Sequence, residues 1–155
     1  MAKKVKQPKM ASHLQPKDRT PSSKYDPESN RDEYPAWQLG LIDNDCNWSW
    51  QSISGTDWWS DIHLKLKNFE TMTWQEILNA TGGRGAGNGN NNHEVSLERL
   101  STVARKRLKE LGHNDIDTIF SLRLSSRERI WGILHGRVLK IIWFDQNHEV
   151  CPSIK

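Results

Sequence analysis

The sequence predicts an α+β fold in which an N-terminal strand precedes two to three helices and a C-terminal antiparallel β-meander. Three observations indicate this class. Apolar residues alternate from Tyr34 onward, helical periodicity with capping signals follows, and the last third holds short apolar runs separated by turn residues. Consecutive strands joined by short turns pair with each other, so the helices are expected to pack on an antiparallel sheet.

The length and composition of the chain favour one domain with a polar extension. The 155 residues suffice for one hydrophobic core, and eight tryptophans supply large apolar side chains for it. Residues 1–33 are rich in Lys, Pro, Ser and Asp, so they bury too little surface to offset the entropy of ordering. We therefore expect a disordered basic and polar arm over 1–33 and a single α+β domain over 34–155.

The first ordered element is predicted to be a strand. Trp37, Leu39 and Leu41 alternate with polar or small residues, which is typical of a half-buried strand. After a turn, Trp48 and Trp50 continue an alternating pattern.

Two helices are predicted next. Thr56 is a suitable N-cap for a helix that ends near Phe69. Thr73 and Glu76 form a Thr-x-x-Glu capping box that opens a short second helix. The apolar face of the first helix is expected to contain Trp59, Ile62, Leu66 and Phe69.

A Gly/Asn segment and a further helix occupy the middle of the chain. Residues 81–94 lack periodicity and predict a flexible loop, because no Gly-Lys-Ser/Thr sequence follows them as a phosphate-binding loop would require. Helical periodicity begins at Ser96 or Ser101 and ends at Leu111, where Gly112 provides a typical C-terminal signal.

The C-terminal third predicts the meander. Strands are expected in "FSLRL" at 120–124, "RERIWGIL" at 127–134 and "RVLKIIWF" at 137–144. Gly136 can take the positive φ of a tight turn between the last two strands. The continuous apolar run at 141–144 predicts a central strand covered on both faces.

Charge is segregated along the chain. Residues 1–24 carry seven basic side chains and one acidic, residues 25–98 carry four basic and twelve acidic, and residues 99–140 carry ten basic and four acidic. A basic C-terminal third attracts nucleic acid or an acidic partner protein, or else neutralises the acidic middle of its own fold.

The sequence indicates a soluble cytoplasmic protein without metal or cofactor. Cys46 and Cys151 form neither a disulfide framework nor a Cys-x-x-Cys pair, and no apolar run is long enough for a membrane span or a signal peptide. The spacing expected of a zinc site is absent from the histidines considered, which are His63, His93, His113, His135 and His148.

The segment "LSSRERIWGILHGRVLKIIWFDQNHEV", together with the order of elements, resembles the RelE/ParE superfamily of small bacterial toxins. Such a resemblance implies a toxin of a toxin-antitoxin system, an acidic antitoxin partner, and RNA or the ribosome as target. The ribonuclease members cleave messenger RNA without metal and use the ribose 2′-OH as nucleophile. The chain differs from that family in its basic arm, its Gly/Asn loop and the absence of tyrosine after Tyr34.

The same resemblance implies candidate site residues. Arg129 and Arg137 would hold the phosphate, and His148 would act as acid or base. Glu128 and Asp145 are candidates for the complementary base. The candidates for contacts with RNA are Arg123, Arg127, Lys140, Arg105 and Lys106.

Each candidate also has a structural interpretation. Arg129 can extend over an aromatic surface, Arg127 and Arg137 can block edge-to-edge association of the hairpin, and Asp145 can make a local turn hydrogen bond. The alternative function is therefore a non-catalytic module that binds protein or nucleic acid through a basic C-terminal face.

Overall fold

The computed structural model describes residues 30–81 and 90–152, which form one five-stranded mixed sheet with helices. The spatial order is β1-β5-β4-β3-β2, with β1 parallel to β5 and the other neighbours antiparallel. The predicted arm lies outside the described residues except for its last four, and so does 82–89 of the Gly/Asn loop. The strands are β1 (Ala36–Gln38), β2 (His93–Ser96), β3 (Thr118–Arg123), β4 (Arg129–His135) and β5 (Val138–Asp145).

The prediction of an α+β fold is confirmed at the level of a mixed sheet with helices, but the sheet is more than a C-terminal meander. β3, β4 and β5 are antiparallel neighbours, as expected. However, β2 adds an edge strand to β3, and its first two residues were predicted to belong to the flexible loop over 81–94. Burial of Val95 in the core accounts for the difference. β1 completes the sheet at the opposite edge by lying parallel to β5.

The helical residues lie in the two predicted regions before and after β2. The helices are α1 (Gly55–Asp57), α2 (His63–Phe69), α3 (Trp74–Asn79) and α4 (Thr102–Glu110), with a π-helical segment at Trp58–Ile62 and 3-10 turns at Trp50–Ser52 and Leu97–Arg99. The capping box of Thr73 and the N-cap role of Ser101 are confirmed. Gly112 takes the positive φ expected after a helix, at 80°.

Three predictions in the tryptophan-rich region are wrong. The helix begins earlier than Thr56, because the side chain of Ser54 accepts a hydrogen bond from the Asp57 amide at 3.0 Å. Trp59 is 64% exposed, because the wider π-helical turn rotates the apolar face so that Trp58 packs on the core instead. The Trp48 and Trp50 region forms turns and a 3-10 segment rather than a strand.

The sheet is covered by a hydrophobic cluster on each face. One cluster joins β3, β4 and β5 to α2 and α3, and the other joins the opposite face to α4 and the loop around Trp48. The prediction that β5 is central and covered on both faces is confirmed. Its five buried apolar residues are divided between the clusters, with Ile142 and Trp143 facing α4 and Leu139, Ile141 and Phe144 facing α2 and α3.

Asp43 fixes α4 against the sheet. The Asp43 carboxylate is 4% exposed and accepts hydrogen bonds from Arg107 Nε at 2.8 Å, Arg107 Nη2 at 2.6 Å and Trp143 Nε1 at 3.0 Å. The Arg107 guanidinium holds the pKa of Asp43 well below its ordinary value. Since Arg107 is on α4 and Trp143 is on β5, this carboxylate ties the helix to the central strand.

Among the described residues, no helix is both long and apolar enough to cross a bilayer.

Gly132 is required where β4 and β5 shift register. A Cβ at this position would collide with the carbonyl oxygen of Lys140 and would lie 3.1 Å from Leu139 Cδ1. Because that oxygen belongs to the central strand, we expect Gly132→Ala to lower the free energy of unfolding by about 3 kcal/mol. Gly40→Ala is the matched control, since the nearest atom to its added Cβ lies at 4.0 Å. Denaturant unfolding measures both variants, and equal stability of the two would contradict this packing.

Candidate functional site

A cleft of about 990 Å³ lies on the side of the sheet that faces α4, where β2, β3 and β4 meet the C-terminal segment. Its walls combine basic, imidazole, hydroxyl and thiol groups with one carboxylate, that of Glu98. A volume of this size accommodates a ligand of nucleotide size or larger. The lining residues used below are Asn91, His93, Ser121, Arg123, Arg129 and His148.

Strand alternation brings the polar residues of the cleft together. On β3, Ser121 and Arg123 point to the cleft side, while Phe120 and Leu122 enter the cluster on the opposite face. The register places Arg123 opposite Arg129, so that the two arginines are direct cross-strand neighbours. In the next row, Ser121 pairs with His93 on one side and with a residue of β4 on the other. The polar groups of three strands therefore share one face.

Arg129 and Arg123 form a pair of cations that have no acidic partner among the described residues. Arg129 Nη1 donates to the carbonyl oxygens of Ser125 at 2.8 Å and Glu128 at 3.0 Å. Arg123 Nε donates to the Ser125 carbonyl at 2.9 Å, and Nη1 donates to Asn91 Oδ1 at 2.6 Å. Within residues 30–81 and 90–152, no carboxylate oxygen lies within 4 Å of either guanidinium.

The Arg129 guanidinium is in an unfavourable environment for a charge. Arg129 is 8% exposed, and burial followed by the repulsion of Arg123 lowers its pKa, against the attraction of Asp145. A buried charge is usually paired, because desolvation is costly. Two adjacent guanidiniums bound only to neutral oxygens therefore define a site that an anion would complete.

Asp145 organises the turn that carries His148. Its side chain is fully buried and accepts hydrogen bonds from the backbone amides of Glu149 and Val150, both at 2.9 Å. It also accepts from the Asn147 amide and from Trp131 Nε1, both at 3.3 Å. Within this turn, His148 takes a φ of 61°, which is uncommon for a residue other than glycine. The carboxylate of Asp145 is thus occupied in shaping the turn that presents His148 to the cleft.

His148 lines the cleft close to the two arginines. Burial lowers its pKa below the ordinary value of 6.5, and the charges of Arg129 and Arg123 lower it further, against Asp145. No hydrogen-bond partner to its ring lies among the described residues, so both ring nitrogens remain available. At neutral pH the imidazole is therefore mainly uncharged and can act as a base.

His93 enters the same cleft from the edge strand. Its Nδ1 lies 2.9 Å from the carbonyl oxygen of Asn90. The preceding residue, Asn92, is buried and donates to the Ile77 carbonyl at 2.9 Å, and it accepts from the Arg123 amide at 2.8 Å. These bonds fix the chain just before β2. Sequence reasoning missed His93 as a site residue because it was assigned to the loop, although Val95 two residues later was a signal for a strand.

Besides Asp145, six predicted site residues lie outside the cleft lining. Arg137 is at the β4–β5 turn, where its Nε lies 3.4 Å from Glu33, at the opposite end of the hairpin from Arg129. The Glu128 carboxylate binds Lys65 Nζ at 2.9 Å. Arg127 is exposed in the turn between β3 and β4, and Lys140 is half-buried on β5. On α4, the two exposed cations are Arg105 and Lys106.

The described part of the chain offers no alternative metal centre, since no three His, Cys, Asp or Glu side chains in it could hold an ion together. Comparisons with protein-family models, with curated proteins and with solved structures give no match to this chain. The inference about function is therefore based on the residues of the cleft and their chemistry.

Proposed function

We propose that the protein is a toxin-like endoribonuclease that cleaves RNA without metal in the cleft formed by β2, β3 and β4. The observation that carries this proposal is the pair of guanidiniums of Arg123 and Arg129, which have no carboxylate within 4 Å in the described part of the chain and share a cleft with His148, whose pKa is lowered by burial. A phosphodiester supplies the missing anion, and its ribose 2′-OH supplies a proton for the histidine.

The reaction that fits these groups is an internal transfer of the phosphoryl group. The 2′ oxygen attacks the neighbouring phosphorus and forms a new O–P bond, while its proton passes to His148. The bond from phosphorus to the 5′ oxygen breaks. Arg123 and Arg129 stabilise the charge that develops on the non-bridging oxygens. The products are a 2′,3′-cyclic phosphate and a 5′-OH, and the 5′ oxygen has to receive a proton from a second group.

The toxin character belongs to the same proposal. It rests on the resemblance of the C-terminal hairpin to the RelE/ParE superfamily and on the concentration of cations on the paired strands β3 and β4. An acidic segment of an antitoxin would complete the same arginine pair and would therefore block the cleft. On this account, the natural inhibitor and the RNA phosphate compete for one site.

The alternative is a module that binds nucleic acid or an acidic protein without cleaving it. The exposed cations outside the cleft favour this possibility, since Arg127, Arg105 and Lys106 can hold phosphates without any proton transfer. Such a module would bind RNA with a strong dependence on salt and would leave the RNA intact.

Induced expression in a bacterial host separates the two functions. The nuclease is expected to arrest growth and to fragment cellular RNA, and Arg129→Met is expected to abolish both effects. Arg137→Met is the matched control, because it also removes an arginine of the hairpin but lies outside the cleft. Normal growth with intact RNA in cells that contain the folded wild-type protein would overturn the nuclease proposal and favour the binding module.

A further inference from the structure

We infer that His93 is the general acid of the cleft and protonates the leaving 5′ oxygen while His148 takes the proton of the attacking hydroxyl. The inference rests on the proposed function and adds a second catalytic residue to it. His93 lines the same cleft as the arginine pair and belongs to a different element from His148. β2 is the edge strand on one side of β3, whereas the turn that carries His148 follows β5, beyond β4.

The two strands that carry the arginines lie between the strands that lead to the two imidazoles. The sheet order places β3 and β4, which carry Arg123 and Arg129, between β2 and β5. A phosphate held by both guanidiniums would therefore lie between His93 and His148. Transfer of a phosphoryl group in line requires a base on the side of the attacking oxygen and an acid on the side of the leaving oxygen. A histidine on β2 and a histidine in the turn after β5, which line one cleft with the cation pair, supply the two groups that this requirement calls for.

The hydrogen bond between His93 and Asn90 determines which ring nitrogen of His93 would donate a proton to the 5′ oxygen. A carbonyl oxygen can only accept, so the contact with Asn90 at 2.9 Å assigns the hydrogen to Nδ1. Nε2 is then the nitrogen that gains and loses a proton. The Nδ1 bond persists when the ring is charged, because both nitrogens of an imidazolium carry hydrogen. The carbonyl thus orients the ring in both states of a proton donor.

The division of roles follows from the surroundings of the two rings. His148 is half-buried next to Arg129, which disfavours the imidazolium, whereas His93 is exposed at the sheet edge. His148 takes the 2′ proton, and His93 gives its Nε2 proton to the 5′ oxygen as the O–P bond breaks. After one turnover both histidines have exchanged protonation state, and transfer through water restores them.

A change of leaving group tests His93 separately from the overall reaction. The linkage that the wild-type protein cuts in a single-stranded RNA is mapped first, and a second RNA is made with sulfur in place of the 5′ bridging oxygen at that linkage. A thiolate leaves without protonation, so it makes a general acid unnecessary. His93→Ala is expected to cleave the oxygen-linked RNA about 100-fold more slowly than wild type, and to cleave the sulfur-linked RNA at the wild-type rate.

Two controls make the result specific. His135→Ala removes an exposed histidine at the far end of the hairpin and should leave both rates unchanged. His148→Ala should slow both substrates, because the base is needed for either leaving group. His93→Gln, which keeps a hydrogen-bonding side chain at the edge strand, is measured alongside, and thermal unfolding confirms that each variant is folded.

The outcomes distinguish this inference from the proposed function. If the wild-type protein cleaves RNA and both His93 variants cleave the oxygen-linked RNA at the wild-type rate, the role of His93 is overturned while the nuclease stands. Equal slowing of both RNAs by the folded His93 variants would also overturn it, since a general acid acts only on the poor leaving group. If the wild-type protein cleaves no RNA, the proposed function itself fails.

Discussion

Arg129→Met is expected to slow RNA cleavage by about 100- to 1000-fold, because it removes one of the two guanidiniums that face the developing phosphorane charge. Loss of a group that acts mainly in the transition state lowers kcat as well as kcat/KM. The matched control is Arg127→Met, which removes an exposed arginine two residues earlier in the same hairpin. Cleavage rates of the purified variants on one RNA substrate check the prediction.

The same substitution has an unusual expected effect on stability. Arg129 is buried, its charge has no acidic partner in the part of the chain that the structure describes, and methionine has a similar length without the charge. We therefore expect the unfolding temperature of Arg129→Met to equal or exceed that of the wild type, as is typical where function is maintained at the expense of stability. A variant that is both active at the wild-type rate and less stable would contradict a role in binding phosphate and would indicate a structural arginine.

His148→Ala is expected to lower the cleavage rate by about 100- to 10,000-fold, the range for loss of a general base. In a plot of cleavage rate against pH, the wild-type rate should rise on the acidic side, and the midpoint of this acidic limb should lie below pH 6.5. The reason is that a base works when it is uncharged, and the pKa of His148 is lowered by burial and by the arginines. The charged groups that face this ring are Arg123, Arg129 and Asp145.

Removal of Arg123 tests the assignment of that limb. Since the charge of Arg123 lowers the pKa of His148, Arg123→Met should raise that pKa and move the acidic limb to higher pH. Rates measured across the pH range for wild type, Arg123→Met and the control His135→Ala decide the point. An acidic limb that stays in place in Arg123→Met, or that survives in His148→Ala with the wild-type rate, would show that another group titrates.

The sequence predicted the elements whose local signals are strong. The apolar run of β5 indicated a strand covered on both faces, and that is where it lies. The capping box at Thr73 and the positive φ at Gly112 are equally local, because each depends on a few adjacent residues. Elements with these signals can be predicted without knowing which other parts of the chain they contact.

The remaining elements depend on contacts between distant parts of the chain. β2 has only four residues and owes its place to pairing with β3, which no local pattern in the Gly/Asn segment reveals. Trp59 was misplaced because a π-helical turn changes the helical period, and sequence periodicity assumes a constant period.

The candidate site was partly predictable for the same reasons. Arg129 and His148 were selected from the sequence, and both line the cleft. Arg137 was grouped with them because it belongs to the same hairpin, yet the two ends of a hairpin are separated by the length of its strands. Asp145 was a candidate base, but its carboxylate faces four donors in the interior, and sequence alone does not show the direction of a side chain at a strand end. His93 could not be predicted as a cleft residue, because its place depends on β2, which the sequence did not predict.

One measurement tests the central claim most directly. Purified full-length protein is incubated with single-stranded RNA in the presence of a metal chelator, and the chemical ends of the products are determined. The account predicts cleavage that continues under chelation and yields 2′,3′-cyclic phosphate and 5′-OH ends, and it predicts cleavage by Arg129→Met about 100- to 1000-fold slower than by the wild type. RNA that stays intact with folded wild-type protein, or cleavage that stops under chelation and leaves 5′-phosphate ends, would contradict it.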